Sequence, residues 1–295
     1  MIPIFAFMKQ LTKPLFLFLF SFLFLISCTN YGQLQVKAKL PKVLEEVSGI
    51  QYDAKEDAFW MLNDSGNKPR LYLVTKKGKI KRTLKIDGHN TDWEDITQNK
   101  QGNLYIGDFG NNANKRKDLH ILKVNAADLN SDKKIDVEKI EFSYPEQKKF
   151  PPKKKKKYYD TEGFFEWEGF FYIFTKSRVE GDYGRTFLYQ VPNKEGKHKA
   201  KLLGQFSTGG GTWDSSITGA DITKDGKKMV LITHKAAWVF TNFTTPNFFS
   251  GTAKEYPFGH KSQKESITFK NKNAIYIADE ENKMGGKNLY LLRLE

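Results

Sequence analysis

Asp92-Trp93-Glu94-Asp95-Ile96, followed fourteen residues after Glu94 by Asp108 in Tyr105-Ile106-Gly107-Asp108-Phe109-Gly110, sets the pattern of the whole chain. An acidic or small residue opens one short apolar run, and a second run ends in a polar residue. The opening recurs as Ser48-Gly49-Ile50, Glu94-Asp95-Ile96, Glu162-Gly163-Phe164, Ala220-Asp221-Ile222 and Glu265-Ser266-Ile267. Its downstream partners are Asp64, Asp108, Lys176, His234 and Asp279, at offsets of 16, 14, 14, 14 and 14. A nearly fixed offset inside units repeated every few tens of residues is the signature of a repeat architecture.

The runs are short, aromatic-rich and separated by turn residues, which suits strands on half-buried sheets. A third run also aligns from unit to unit: Leu71-Tyr72-Leu73, Leu119-His120-Ile121, Phe187-Leu188-Tyr189, Ala237-Trp238-Val239 and Leu289-Tyr290-Leu291. The last unit stops one strand short, while Leu34 to Leu40 alternates apolar and polar with no unit of its own. The expected fold is therefore all-β, a β-propeller of five four-stranded blades closed by the N-terminal strand, since closure removes exposed sheet edges. Six blades is the alternative, because the 68 residues from Glu94 to Glu162 leave room for a degenerate unit.

In a propeller, the loop entering the innermost strand and the loop leaving the second strand share one face, here called the top. Glu94, Glu162 and Glu265 from the first set should then meet Asp64, Asp108 and Asp279 from the second at the channel mouth. Two like charges 4 Å apart repel by about 4 kcal/mol at an effective dielectric near 20. Such crowding calls for a cation, a shared proton or opposing charge. An all-oxygen set favours Ca²⁺, and these six acids are the candidate ligands. His89, His234 and His260 lack the spacing of a zinc site. Lys176, Arg178, His234 and Lys235 form a basic counterpart suited to an anionic group of a ligand, and Trp213, on the Gly209-Gly210-Gly211 loop, is a candidate stacking or packing residue.

Val47-Ser48-Gly49-Ile50, Asn63-Asp64-Ser65-Gly66, Asp92 to Ile96 and Gly107-Asp108-Phe109-Gly110-Asn111-Asn112 resemble the SdiA-regulated and phytase-esterase-like propellers of the bacterial envelope. That resemblance implies a propeller with acidic central-channel residues and bound calcium. The dense acidic clusters of a propeller phytase are missing from the sequence, which argues against phytase activity. Two functions follow. One is a binding module holding a small-molecule, glycan or protein ligand through Ca²⁺. The other is a metal-dependent hydrolase of an ester, lactone or phosphate, with Glu94 or His234 as general base.

Lys9 and Lys13 precede the apolar run Leu15 to Ile26, too short to span a bilayer, which ends in Leu25-Ile26-Ser27-Cys28. This resembles a lipobox, giving a signal peptide over 1–27, a tether over 28–33 and a propeller domain over 34–295, with Cys28 lipidated. Cys28 is the single cysteine, so the mature domain has no disulfide. The expected location is the cell envelope, anchored to the periplasm-facing side of the outer membrane, as a monomer. Removing residues 1–27 takes away two lysines and no acid, lowering the formal charge from +14 to +12. The excess sits in loop runs such as Lys153 to Lys157, which suits attraction to anionic lipid or polysaccharide rather than nucleic acid.

Overall fold

The computed structural model describes residues 30–283 and 285–295. The signal peptide expected over 1–27 and Cys28 lie outside them. Blade 1 comprises β2 (Val47–Asp53), β3 (Ala58–Asn63), β4 (Arg70–Thr75) and β5 (Ile80–Ile86). Blade 2 comprises β6 (Trp93–Gln98), β7 (Leu104–Asp108), β8 (His120–Val124) and β10 (Glu138–Ser143). Blade 3 is β11 (Asp160–Trp167), β12 (Phe170–Lys176), β13 (Arg185–Pro192) and β15 (Lys201–Ser207). Blade 4 is β16 (Gly219–Ile222), β17 (Lys228–Ile232), β18 (Ala236–Thr241) and β19 (Thr252–Pro257). Blade 5 is β20 (Lys264–Asn271), β21 (Ala274–Asp279), β22 (Asn288–Arg293) and, from the other end of the chain, β1 (Gln35–Lys39).

The five innermost strands touch in sequence, β2 to β6 to β11 to β16 to β20 and back to β2, so the ring is a closed five-bladed propeller. The long interval between Glu94 and Glu162 holds no sixth blade. It holds the rest of blade 2, the polar connection to blade 3, and one short extra strand. That strand, β9 (Lys134–Ile135), precedes β10 and pairs parallel with the outer edge of blade 1. Likewise β14 (Gly196–Lys199), from blade 3, pairs parallel with blade 2. Each added strand covers an exposed outer edge. No helix among the described residues is long and apolar enough to cross a membrane.

Five apolar clusters fill the wedges between neighbouring blades. Blades 1 and 2, for instance, bury Trp60, Leu73, Trp93 and Leu122 together. Backbone hydrogen bonds run within blades but not across the ring of inner strands, so side chains bridge there. Asp95 accepts from the Phe164 amide at 3.2 Å, Asp221 from the Phe269 amide at 2.6 Å, and Thr268 from the Tyr52 amide at 3.1 Å. Ser48 Oγ donates to the Trp93 carbonyl at 2.8 Å, and Thr218 Oγ1 to that of Lys264 at 2.7 Å. Each bond satisfies a buried group whose isolation would cost about 1–3 kcal/mol.

Candidate functional site

Four of the five inner strands carry a register break at the same place. The pairing skips one residue between Val47 and Gly49, Trp93 and Asp95, Thr161 and Gly163, and Lys264 and Ser266. The skipped residues are Ser48, Glu94, Glu162 and Glu265, the members of the first repeated set. A bulged residue is released from the ladder and its side chain is re-aimed, here toward the channel mouth. β16 pairs without a break, and Ala220 on it supplies no polar group.

These side chains line a cavity of about 170 Å³, together with Asp64, Lys176, Arg178, Glu280, Gln263 and Asn112. Asp64, Asp92 and Glu94 offer carboxylate oxygens that all lie within 4.8 Å of one another, as do Glu94, Asp160 and Glu162. Gly110 makes this approach possible: a Cβ there would lie 2.0 Å from Glu94 Oε1 and 2.5 Å from Asp92 Cγ.

The cavity is divided by charge. On one side Lys176 Nζ stands 3.0 Å from Glu162 and 3.9 Å from Glu265, and Arg178 pairs with Asp160 at 2.5 Å and Glu162 at 3.1 Å. Arg178 also donates to Asn112. His234 Nε2 meets Glu265 Oε1 at 2.9 Å. Burial opposes ionisation of Glu265, but Lys176 and His234 outweigh it and hold the carboxyl below the usual glutamate range. On the other side Glu94 is 5% exposed and has no described basic group within ion-pair distance. Burial first, then Glu162, Asp64 and Asp160, push it well above the ordinary value. Burial and its acidic neighbours likewise push Asp92 up to about 6 and Glu280 up to about 9. Glu162 rises to about 8, chiefly through burial and against the pull of Lys176.

Asp108 and Asp279 do not line this cavity. Asp108 accepts from the amides of Thr91 and Asp92 at 3.2 Å and pairs with Arg116 at 2.9 Å. Asp279 accepts from the Asn288 amide at 2.7 Å and from the Tyr290 hydroxyl at 2.7 Å. Register explains the difference. Asp108 pairs with Trp93 and Asp279 with Lys264, directly before each bulge, as Asn63 does with Val47. Asp64 and Glu280 lie one residue further on, and one residue of shift turns a side chain to the opposite face of a sheet. Glu280 therefore takes the place that the sequence offset gave to Asp279. The offset counts residues through hairpin loops of unequal length, so it could not resolve that shift.

A second groove of about 430 Å³ adjoins the cavity and shares Gln263 with it, and His234 on the groove side pairs with Glu265 on the cavity side. Trp213 and Lys235 line it, with His260, Lys261, Ser262 and Lys283, which spacing did not single out. The expected ligand-binding residues thus divide: Lys176 and Arg178 lie in the cavity, Trp213 and Lys235 in the groove, and His234 at the junction. A larger wedge of about 740 Å³ between the outer strands of blades 4 and 5 is lined by Lys254, Tyr256, Leu291 and Arg293 and has no part of the acidic set.

The SdiA-regulated family model matches residues 25–150. No curated protein matches the chain by sequence. Among solved structures the chain is similar to the PQQ-bound aldose sugar dehydrogenase of Streptomyces coelicolor, with TM-score 0.52, 10% identity, and coverage of 88% of this chain and 98% of that one. It is also similar to a gluconolactonase from Xanthomonas campestris (TM-score 0.49, 10% identity, 90% of each chain). A third is a catalytically inactive virginiamycin B lyase from Staphylococcus aureus with quinupristin (TM-score 0.42, 14% identity, 87% of this chain and 69% of that one). At such identities the likeness to the dehydrogenase speaks to fold alone.

Proposed function

We propose that the protein is an envelope-anchored binding module whose top-face cavity holds a divalent cation, Ca²⁺, between Asp64, Asp92 and Glu94. The observation that carries this reading is Glu94, a buried carboxylate among carboxylates with no described base beside it. Two oxygens bound to one Ca²⁺ at about 2.4 Å can be at most about 4.8 Å apart. The three acids meet that limit before any rearrangement. Glu265 Oε2, buried in the same cavity, has no hydrogen-bond partner, with Lys176 Nζ 3.9 Å away. The donors are oxygens, and the one histidine lining the groove-cavity junction is taken by Glu265, so a hard cation suits the site better than zinc. Lys176 and Arg178 stand opposite the cation, already paired with Glu162, Glu265 and Asp160 on that wall.

Metal content of the purified protein, together with melting in Ca²⁺ and in chelator, tests the proposal. Millimolar Ca²⁺ should raise Tm through ordinary binding linkage, and Glu94→Gln should remove most of the rise. No response to Ca²⁺ and no bound metal would sink it.

The His234–Glu265 pair favours a second reading, a metal-dependent hydrolase. With Nε2–H donating to Glu265, His234 Nδ1 is left as the bare nitrogen, and it has no hydrogen-bond partner. That nitrogen is buried under Trp213, so such a base would act only once a water reaches it, while Glu94, set among the cation's carboxylates, would serve as a ligand rather than a base. Turnover of esters, lactones or phosphoesters that depends on both metal and His234 would select this reading.

The envelope location rests on the sequence ending at Cys28. The polar connection from blade 2 to blade 3 agrees with it, presenting Lys148, Lys149 and Lys153 around a surface cleft.

A further inference from the structure

We propose that the groove beside the cation cavity is a subsite for an acidic sugar, a ring carrying hydroxyls and a carboxylate. This deepens the ligand-binding reading and rests on it. Trp213 is 56% exposed, the highest value among the large apolar side chains of the described residues left at the surface. It is nevertheless held in place. Lys235 Nζ ties its loop together, contacting Asp214 at 2.9 Å, Thr212 Oγ1 at 3.1 Å and Ser215 Oγ at 3.2 Å. The indole packs edge-on against His234, with ring centroids 4.6 Å apart at 78°. Close turns in the chain allow this anchoring, since a Cβ at Gly210 would lie 1.9 Å from Ser215 Oγ. A large flat apolar surface fixed in the open beside a cavity is a platform for a ring, because its own ordering cost has already been met.

The remaining lining indicates what kind of ring. The groove gives no enclosed tunnel for an acyl chain, and beside a mainly apolar wall it carries the amide and hydroxyl groups of Gln263, Asn282 and Ser262, suited to sugar hydroxyls. Gln263 is central among them. Its Nε2 donates to Glu280 at 3.2 Å and its Oε1 accepts from Asn282 at 3.1 Å, so one amide chain links the groove to the acidic cavity. Lys261 and Lys283 line the same groove, exposed, with no acidic partner among the described ion pairs. Those two charges complement a carboxylate on the ring. The ring would stack on Trp213, its hydroxyls would meet Ser262 and Gln263, and its acid group would face the two lysines.

Titration of trigalacturonate into the mature protein, followed by tryptophan fluorescence and calorimetry in Ca²⁺ and in chelator, tests this. Binding should weaken at least about tenfold in Trp213→Ala, and less in Trp213→Phe, as loss of a stacking anchor does. The double variant Lys261→Gln/Lys283→Gln should lose a similar factor for trigalacturonate, and the neutral trisaccharide maltotriose should bind the wild type correspondingly weakly. The Ca²⁺-induced rise in Tm should persist in Trp213→Ala, which keeps the subsite separate from the cation site. Trp213-dependent binding in chelator, with no Ca²⁺ response, would overturn the cation reading and leave the sugar subsite standing. Equal affinity for maltotriose, tighter binding of adenosine monophosphate, or no effect of Trp213→Ala would each overturn the subsite.

Discussion

Glu94, Glu162 and Glu265 reach the channel because each is the skipped residue of a bulge, and the cost of crowding them appears in their protonation. For a carboxyl whose value is raised on folding, the unfolded chain loses its proton first, near pH 4. Stability is therefore lost progressively as pH rises toward the folded value. Glu94, Asp92, Glu162 and Glu280 all act in this sense. Glu265 is shifted the other way, and its contribution is already complete above the ordinary glutamate range. Lys264, lowered to about 8 by burial, begins to oppose the trend only at the alkaline end. In chelator, Tm should fall as pH rises from about 5 to about 7.5, and the rise produced by Ca²⁺ should grow over the same window, because bound protons give way to the ion. Glu94→Gln should flatten both slopes. Melting curves across that window decide the matter, and a calcium effect independent of pH would contradict the assigned protonation.

At the scale of the strand, the second repeated set taught less than the first. The acids at Asp64, Asp108 and Asp279 look alike in sequence, yet Asp108 and Asp279 bind backbone amides within their own blades. Which of two adjacent polar residues faces the channel depends on pairing register, and register depends on a bulge that no single residue announces. The closing strand was more legible, because an unpaired alternating segment at one end matched a missing strand at the other. β1 pairs antiparallel with β22, from Gln35 opposite Leu291 to Lys39 opposite Asn288. Leu34 and Leu40, at its two ends, are buried in the clusters on either side of blade 5. Deleting residues 30–41 should expose the edge of β22 and cause aggregation or a large fall in Tm. Light scattering and calorimetry measure both, and a truncated chain that melts like the mature domain would show that β1 is dispensable.

For the molecule as a whole, the relevant features are its net positive charge and the point at which its N-terminal segment meets the domain. The tether residue Tyr31 packs against His260 and Tyr290, with ring centroids 5.0 and 5.8 Å away, and Gln33 bonds to the Phe258 carbonyl. The segment from Tyr31 to Gln33 thus lies beside His260, which also lines the groove. Cys28→Ser should release the protein from the membrane fraction or leave its signal uncleaved. Fractionation with mass measurement of the N-terminus reads the result, and unchanged retention with normal processing would exclude a lipid anchor.

The sequence by itself determined the five repeated units, the all-β class, the closing of the ring by strands from both chain ends, and three of the glutamates that meet at its mouth. These follow from hydrophobic patterning and from repetition, which are local properties that survive in one dimension. Only the tertiary structure decided that Asp108 and Asp279 turn away while Glu280 turns in, that Lys176 and Arg178 neutralise one side of the cavity and leave Glu94 unpaired, and that Trp213 stands fixed over a groove joined to it through Gln263. Each of those depends on bulges, loop lengths and the approach of different blades. They arise from contacts between residues far apart in the chain, and the spacing of residues along it carries no record of which will face each other across the channel.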